Sequence, residues 1–408
     1  MFRYEVQKVF AKRGGKIALI LLAFVLILAC WLAVDIGYVN ENGEHEYGIA
    51  AVRKLREAQK EWTGILDEEK LRQVIEELRR IDATPQAQSK DVRENEIAYG
   101  WQQGVLGIRW LMVYVYADGF RNSDYFRPDS LNPDDAAEFY SNRLRLLKGW
   151  LVDEYDDAFY KFSDDEKAYL IHQYEILETP FNYDYLEGWK QLFAWYSMIA
   201  MFTTIILGYL VSGIFSNEFQ WRADAIFFTS EYGRNRAVAA KVKAGFGIVT
   251  VIYWVMILLY TAFVLVYCGA DGASCPIQAN WDSWKSFYNI TIWQEYLLLV
   301  FGGYIGCLFI SFLVMFISAK GKSAVVAVMT PVVLTLLPSL IGDLASPVAD
   351  KILGLLPDQL LQLNMALKYF NLYELGGKVI GAVPLLFVLY SILVIVLMPM
   401  VYRVYKRI

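Results

Sequence analysis

Side chains able to perform catalysis are scarce in this sequence. The 408 residues include two histidines, His45 and His172, and four cysteines, too few for a metal centre or a histidine-based catalytic apparatus. The nearest motif fragments fail on spacing. Gly321-Lys322-Ser323 ends as a phosphate-binding loop does, but Phe316 stands where the first glycine of that loop is required. His45-Glu46 begins like a zinc-protease helix, and its second histidine would fall at Ile49. The acidic runs Asp153-Glu154-Tyr155-Asp156-Asp157 and Asp164-Asp165-Glu166 lack the regular oxygen ligands and central glycine of a calcium loop. They read as solvated faces and helix starts. No enzyme active site, ATP site, cofactor or metal is therefore expected in this polypeptide. Cys268 and Cys275, with six residues between them including Gly269 and Gly272, can close a short loop as a disulfide or remain two unpaired thiols.

Composition explains the scarcity. The chain is 56% apolar and 20% charged, against roughly 45–50% and 25% in soluble domains. The excess is concentrated in six uncharged runs: Ile17 to Val34, Leu192 to Phe215, Ala244 to Ala270, Tyr296 to Ala319, Ser323 to Gly342 and Val379 to Tyr402. A hydrocarbon core about 30 Å thick takes about 20 residues of helix, and backbone in lipid must satisfy its own hydrogen bonds, so each run is predicted to be a spanning helix. Pro331 and Pro338 interrupt the fifth, which is expected to be kinked or re-entrant. A cleaved leader is the rival reading of the first run, where Ile27-Leu28-Ala29-Cys30 loosely resembles a lipoprotein cleavage box. Leu28 suits that box poorly, and the apolar stretch is long for a leader.

Lysine and arginine in short flanks mark the cytoplasmic side. They collect at Arg3 to Lys16, Arg222 to Lys243, Lys320 and Lys322, and Arg403 to Arg407, all on one side of a six-span plan. The expectation is an all-α multi-pass plasma-membrane protein with both termini cytoplasmic. Residues 1–36 form an amphipathic start and the first span, and 37–190 an external helical domain. Residues 191–408 carry the other five spans, a cytoplasmic loop over 216–243 and an external apolar segment over 343–378. The insert holds 31 acids and 19 bases, net −12, while the rest of the chain is net +7. This balance gives no support to nucleic-acid binding.

Within the insert, Leu71, Val74, Ile75, Leu78 and Ile81 recur at helical steps, with Glu68, Glu69, Arg72, Glu76 and Arg79 on the other side. Asn132-Pro133 before Asp134-Asp135 reads as a helix start, and Ser163 with Glu166 as a capping box. At 154 residues, the insert is large enough to bury a core of its own. Trp62, Trp101, Trp110 and Trp150 read as core or membrane anchors, or as a ligand-binding surface. Charge is almost missing inside the spans, with Glu295 at an edge. Ion-coupled transport is weakened on that ground, and any transport energy is expected from another subunit.

One stretch outside the apolar runs interleaves acids, aromatics and bases: Asn217-Glu218-Phe219-Gln220-Trp221-Arg222-Ala223-Asp224-Ala225-Ile226-Phe227-Phe228-Thr229-Ser230-Glu231-Tyr232-Gly233-Arg234, continuing to Lys243. It resembles the cytoplasmic coupling loop of ABC-2-type permeases, in which an acid leaves span two, a short helix follows, and a hydroxyl-rich turn precedes Gly-Arg and a later lysine. Glu218, Asp224, Ile226, Thr229, Gly233, Arg234 and Lys241 match. The family's glycine and small hydroxyl residue after the acid are here Arg222 and Ala223. The membrane plan is similar too, with its amphipathic start (Phe2, Val6, Val9, Phe10), six spans and large insert.

The resemblance implies a loop that docks on a separate ABC ATPase subunit, which holds ATP and magnesium, and a second permease copy or paralogue completing the path. Ile226, Phe227 and Phe228 suit a groove on that subunit, and Arg234, Arg236 and Lys241 suit carboxylates around it. The plainer alternative is a basic loop touching lipid headgroups. Short re-entrant helices before the last span are likewise implied, in the apolar stretch from Leu344 to Gly377. The insert resembles those of bacterial permeases for peptide or lantibiotic export and self-protection, which implies a cationic or amphipathic peptide cargo; relatives export lipid, drug or sodium. A different class of function, a membrane-anchored sensor or scaffold, would bind an external ligand without moving it.

Overall fold

The computed structural model describes residues 1–152, 162–230, 232–322, 324–341 and 347–407. The acidic run at Asp153 to Asp157, Glu231, Ser323 and the start of the apolar stretch at Leu344 lie outside the described residues. The protein is mostly helical, 73% helix and 5% strand. A short helix α1 (Phe2–Ala11) breaks at extended Lys12 and leads into α2 (Arg13–Ala33). The insert then forms hairpin β1 (Gly37–Val39) and β2 (His45–Tyr47), helix α3 (Ile49–Lys60), strand β3 (Gly64–Ile65), and helices α4 (Glu68–Asp82), α5 (Val92–Gln102), α6 (Leu106–Val115), α7 (Phe139–Val152) and α8 (Asp164–Glu175). Strand β4 (Asn182–Tyr183) returns to pair antiparallel with β3.

The remainder is a bundle. Helix α9 (Glu187–Gln220) lies at its centre, against α2 and three later helices. Helix α10 (Asp224–Thr229) and a wide π-type turn at Gly233–Ala237 connect it to α11 (Val238–Cys268). Then come α12 (Ile292–Gly321), α13 (Ala324–Ile341), the short α14 (Pro347–Leu353), α15 (Asp358–Leu361) and α16 (Leu363–Ala366), hairpin β5 (Leu372–Leu375) and β6 (Lys378–Gly381), and α17 (Ala382–Lys406). Five helices among the described residues are long and apolar enough to cross a membrane: those containing α2, α9, α11, α12 and α17. The fifth apolar run folds as α13, an 18-residue helix with Pro331 and Pro338 inside it, and does not reach that standard. Each proline removes a backbone donor from the ladder. Its Pro331 ring lies against Gly208 of α9.

The amphipathic stripe of α4 is fully buried from Leu71 to Ile81. Asp67 caps that helix by accepting from the Lys70 amide at 2.9 Å. Ser163 and Glu166 form the expected reciprocal cap at α8, at 3.2 and 3.0 Å. Asn132 starts only a 3-10 turn, Pro133–Glu138, with its amide held by Asp135 at 2.8 Å. The insert's core is not separate from the rest, as its size suggested. One continuous apolar cluster runs from Leu71 and Ile108 through Trp189 and Tyr253 to Tyr405. Buried Arg143 of α7 donates to the Trp284 and Ser286 carbonyls at 3.2 and 2.7 Å, and Lys351 of α14 pairs with Glu166 at 2.8 Å.

The bundle therefore has two distinct ends. At one lie the insert, the 269–291 loop and the β5–β6 hairpin. At the other lie α1, α10, the π-type turn, Lys322 over the Phe219 ring at 5.0 Å, and Tyr405 near the C-terminus.

Candidate functional site

The loop end concentrates charged residues, which the apolar helices lack, together with aromatic rings. Helix α9 continues beyond its apolar run to Gln220, after which Arg222 takes φ +53°. That left-handed region suits glycine, because an L side chain there crowds its own carbonyl by about 1–2 kcal/mol. Helix α10 then folds back, and Phe227 and Phe228 pack on Tyr405, with ring centroids at 6.0 and 5.3 Å. Phe228 also meets Phe219 at 6.1 Å. The Thr229 hydroxyl donates to the Ala225 carbonyl at 2.8 Å and the Ser230 hydroxyl to that of Phe227 at 2.7 Å, closing the short helix. At Gly233 a Cβ would stand 1.8 Å from the Phe227 carbonyl oxygen, so only glycine permits this approach.

Beneath the turn sits a buried ionic knot. The Lys241 ammonium, 1% exposed, donates to Glu218 Oε1 at 2.7 Å, to the Ile214 carbonyl at 2.7 Å and to Glu5 Oε2 at 3.2 Å. All three of its protons are used. Lys8 stands 3.1 Å from Glu5 and 3.6 Å from Glu218, and the Tyr405 hydroxyl reaches the other Glu218 oxygen at 3.4 Å. Two carboxylates balance two ammoniums drawn from α1, α9 and α11.

The loop residues singled out in the sequence therefore separate into two groups. Glu218 and Lys241 are interior and lock α1 to the end of α9 and the start of α11. Ile226, 77% exposed, and the exposed Thr229, Arg234 and Arg236 form an outer face with half-buried Asp224, and Phe228 and Gly233 hold that face in place. Arg234 donates to the Phe228 carbonyl at 3.3 Å, and Arg236 lies over the Tyr232 ring at 4.8 Å. Glu5 was not singled out in the sequence, and Lys8 counted there only as one of the bases flanking the first span. The signal was there: Glu5 lies on the same helical stripe as Phe2, Val6 and Val9, an acid placed on an apolar face.

Two further carboxylates are buried without full partners. Glu295, in the first turn of α12, is 1% exposed, and its Oε2 has no hydrogen bond. Asp358 of α15 is equally buried, with Oδ1 unpartnered. Its neighbours Pro357 and Leu360 lie against Gly306, midway along α12 and about 21 Å from the start of that helix. The chain around α15 thus enters the bundle to half its depth, and an acid from a stretch read as external belongs to a segment seated at the middle of α12. Cys268 and Cys275 are free, buried thiols, and the bridge their spacing allowed is not formed here. Cys268 Sγ faces the Ala33 carbonyl at 3.7 Å, and Cys275 Sγ accepts from Asn182 at 3.7 Å. Burial, aided by the charge of Asp184, pushes the Cys275 thiol up to about 12. No cluster of residues able to hold a metal occurs among the described residues. No family model matches the chain, and neither a curated protein nor a solved structure does.

Proposed function

We propose that this chain is the membrane-spanning permease subunit of an ATP-driven exporter of the ABC-2 type, working in a bacterial plasma membrane. ATP and magnesium belong to a separate ATPase subunit, and a second permease copy or paralogue completes the path. In this reading α13 is the fifth of six spans, both termini are cytoplasmic, and the insert stands outside the cell. The basic flanks gathered at the loop end support that orientation.

The observation that carries the reading is the loop's construction. An apolar residue and two guanidinium groups, Ile226 with Arg234 and Arg236, stand exposed on a turn whose base is fixed by a buried ionic knot and an aromatic stack. A loop meeting only lipid headgroups needs basic charge but no such base. A loop that transmits movement from an ATPase to α9 and α11 needs one, because force passes only through packed and bonded elements. Cargo of cationic, amphipathic character fits the insert's charge and its aromatic content, since cation–π contacts contribute about 0.5–2 kcal/mol each.

Charge reversal tests the docking face. In the R234E/R236E double variant, association with the ATPase subunit is expected to fall at least tenfold while membrane insertion and thermal stability stay as in wild type. Unchanged association and transport by that variant would contradict docking through this turn.

A further inference from the structure

At the insert end, a cavity of about 780 Å³ lies where α6, the base of α9, the 280–283 segment, the start of α12 and the chain just after α16 converge. Its size falls within the range of about 300–1,000 Å³ that encloses a drug-sized ligand. Three acids line it, and two are already paired: Glu187 with Lys190 at 2.8 Å, and Asp282 with Lys368. The third is Glu295. It is 1% exposed, makes no ion pair among the described residues, and keeps Oε2 without a hydrogen bond. A buried carboxyl left without a partner is costly as an anion, so it either keeps its proton or gives it up to pair with a cation that enters beside it.

The lining also holds aromatic rings. Trp110 of α6 and Trp281 stack at 5.3 Å, and both are half-buried lining residues. One unpartnered carboxyl group and indole rings in the same lining favour an organic cation with an apolar body, which the carboxyl can pair once it gives up its proton, over a hydrated metal ion, which seeks a shell of oxygens.

We infer that this cavity is a binding site for an organic monocation, with Glu295 pairing its ammonium, amidinium or guanidinium group and Trp110 and Trp281 covering its apolar part. The inference deepens the cargo reading above and rests on it only for physiological meaning. Ligand binding is measured on the chain alone, so its failure and a failure to recruit an ATPase are separate results.

The experiment is calorimetric titration of the full chain in nanodiscs with benzamidinium, with its neutral isostere benzamide, and with the peptide amide Trp-Arg-Trp as competitor, at matched ionic strength in NaCl or KCl. Benzamidinium is expected to bind at least tenfold more tightly than benzamide, a comparison that needs no variant. E295Q is expected to lose at least tenfold in benzamidinium affinity without a lower melting temperature, since the amide fills the same volume and Oε2 has no hydrogen bond to lose. W281A is expected to weaken binding with Glu295 intact. Competition by Trp-Arg-Trp amide would assign the site to the cationic end of a peptide; benzamidinium binding without that competition would assign it to a free small cation. Equal binding of benzamide, unchanged affinity in E295Q, or displacement by sodium but not by potassium would overturn the proposal.

Discussion

Lys241 shows how one residue can look functional in sequence and prove to be a fastener in structure. Its spacing from Glu218 matched a coupling-loop pattern, but neither position reveals burial, which depends on α1 folding back from more than 200 residues away in sequence. Removing one partner of a buried pair leaves an uncompensated charge and costs about 3–5 kcal/mol. K241A is therefore expected to lower the melting temperature sharply and to free α1 for proteolysis, whereas R234E/R236E leaves both unchanged. Limited proteolysis with thermal unfolding checks this. Lys285 gives a pH signature at the other end. Burial, and secondarily the charge of Arg121, brings its ammonium down from 10.5 to about 8. It stands over the Tyr114 ring at 5.1 Å. Between about pH 8 and 10.5 the unfolded chain holds this proton and the folded chain does not, so stability from this group rises with pH across that window. Melting temperatures of wild type and K285M at pH 7.5 and 10 should converge, with wild type the lower at pH 7.5. A constant gap would contradict it.

At the scale of elements, the long apolar runs and the stripe of α4 were legible because periodicity and length alone decide them. The helical character of the insert followed for the same reason, and its two-residue and three-residue strands carried too little pattern to be foreseen. The path of α14–α16 was not legible either. Leu353, Leu360, Leu361 and Leu363 announce burial without saying where, and depth is set by α12. There Gly302 and Gly306 leave room for Leu363, Phe387, Leu360 and Leu361; a Cβ at Gly306 would lie 3.0 Å from Leu360 and 3.4 Å from the Pro357 carbonyl. Small residues four apart let helices approach closely in a bilayer. G306L is expected to push α15 outward and to expose Asp358 to carbodiimide modification, with loss of transport. Unaltered Asp358 protection in a folded variant would show that the segment does not depend on this seat.

For the molecule as a whole, the larger of two apolar clusters joins the insert to the bundle, while a smaller one gathers Phe120, Leu147, Leu170 and Tyr174 of the insert with Phe287 and Leu372, so movement of α9 relative to α12 is felt by the cavity walls as well as by the loop. Residues at the two ends were visible in sequence as charge asymmetry, net −12 against net +7. Their mechanical connection was not, because it resides in contacts such as Arg143 with Trp284 that are long-range in sequence. The proposed coupling to an ATPase on a separate subunit is tested by copurification. The full chain, isolated from its native membrane under mild detergent, is expected to bring an ABC ATPase subunit with it, and ATP hydrolysis should be present in that complex and absent from the chain alone. Hydrolysis by the pure chain, or isolation with no ATPase bound under conditions that preserve known complexes of this kind, would contradict the account.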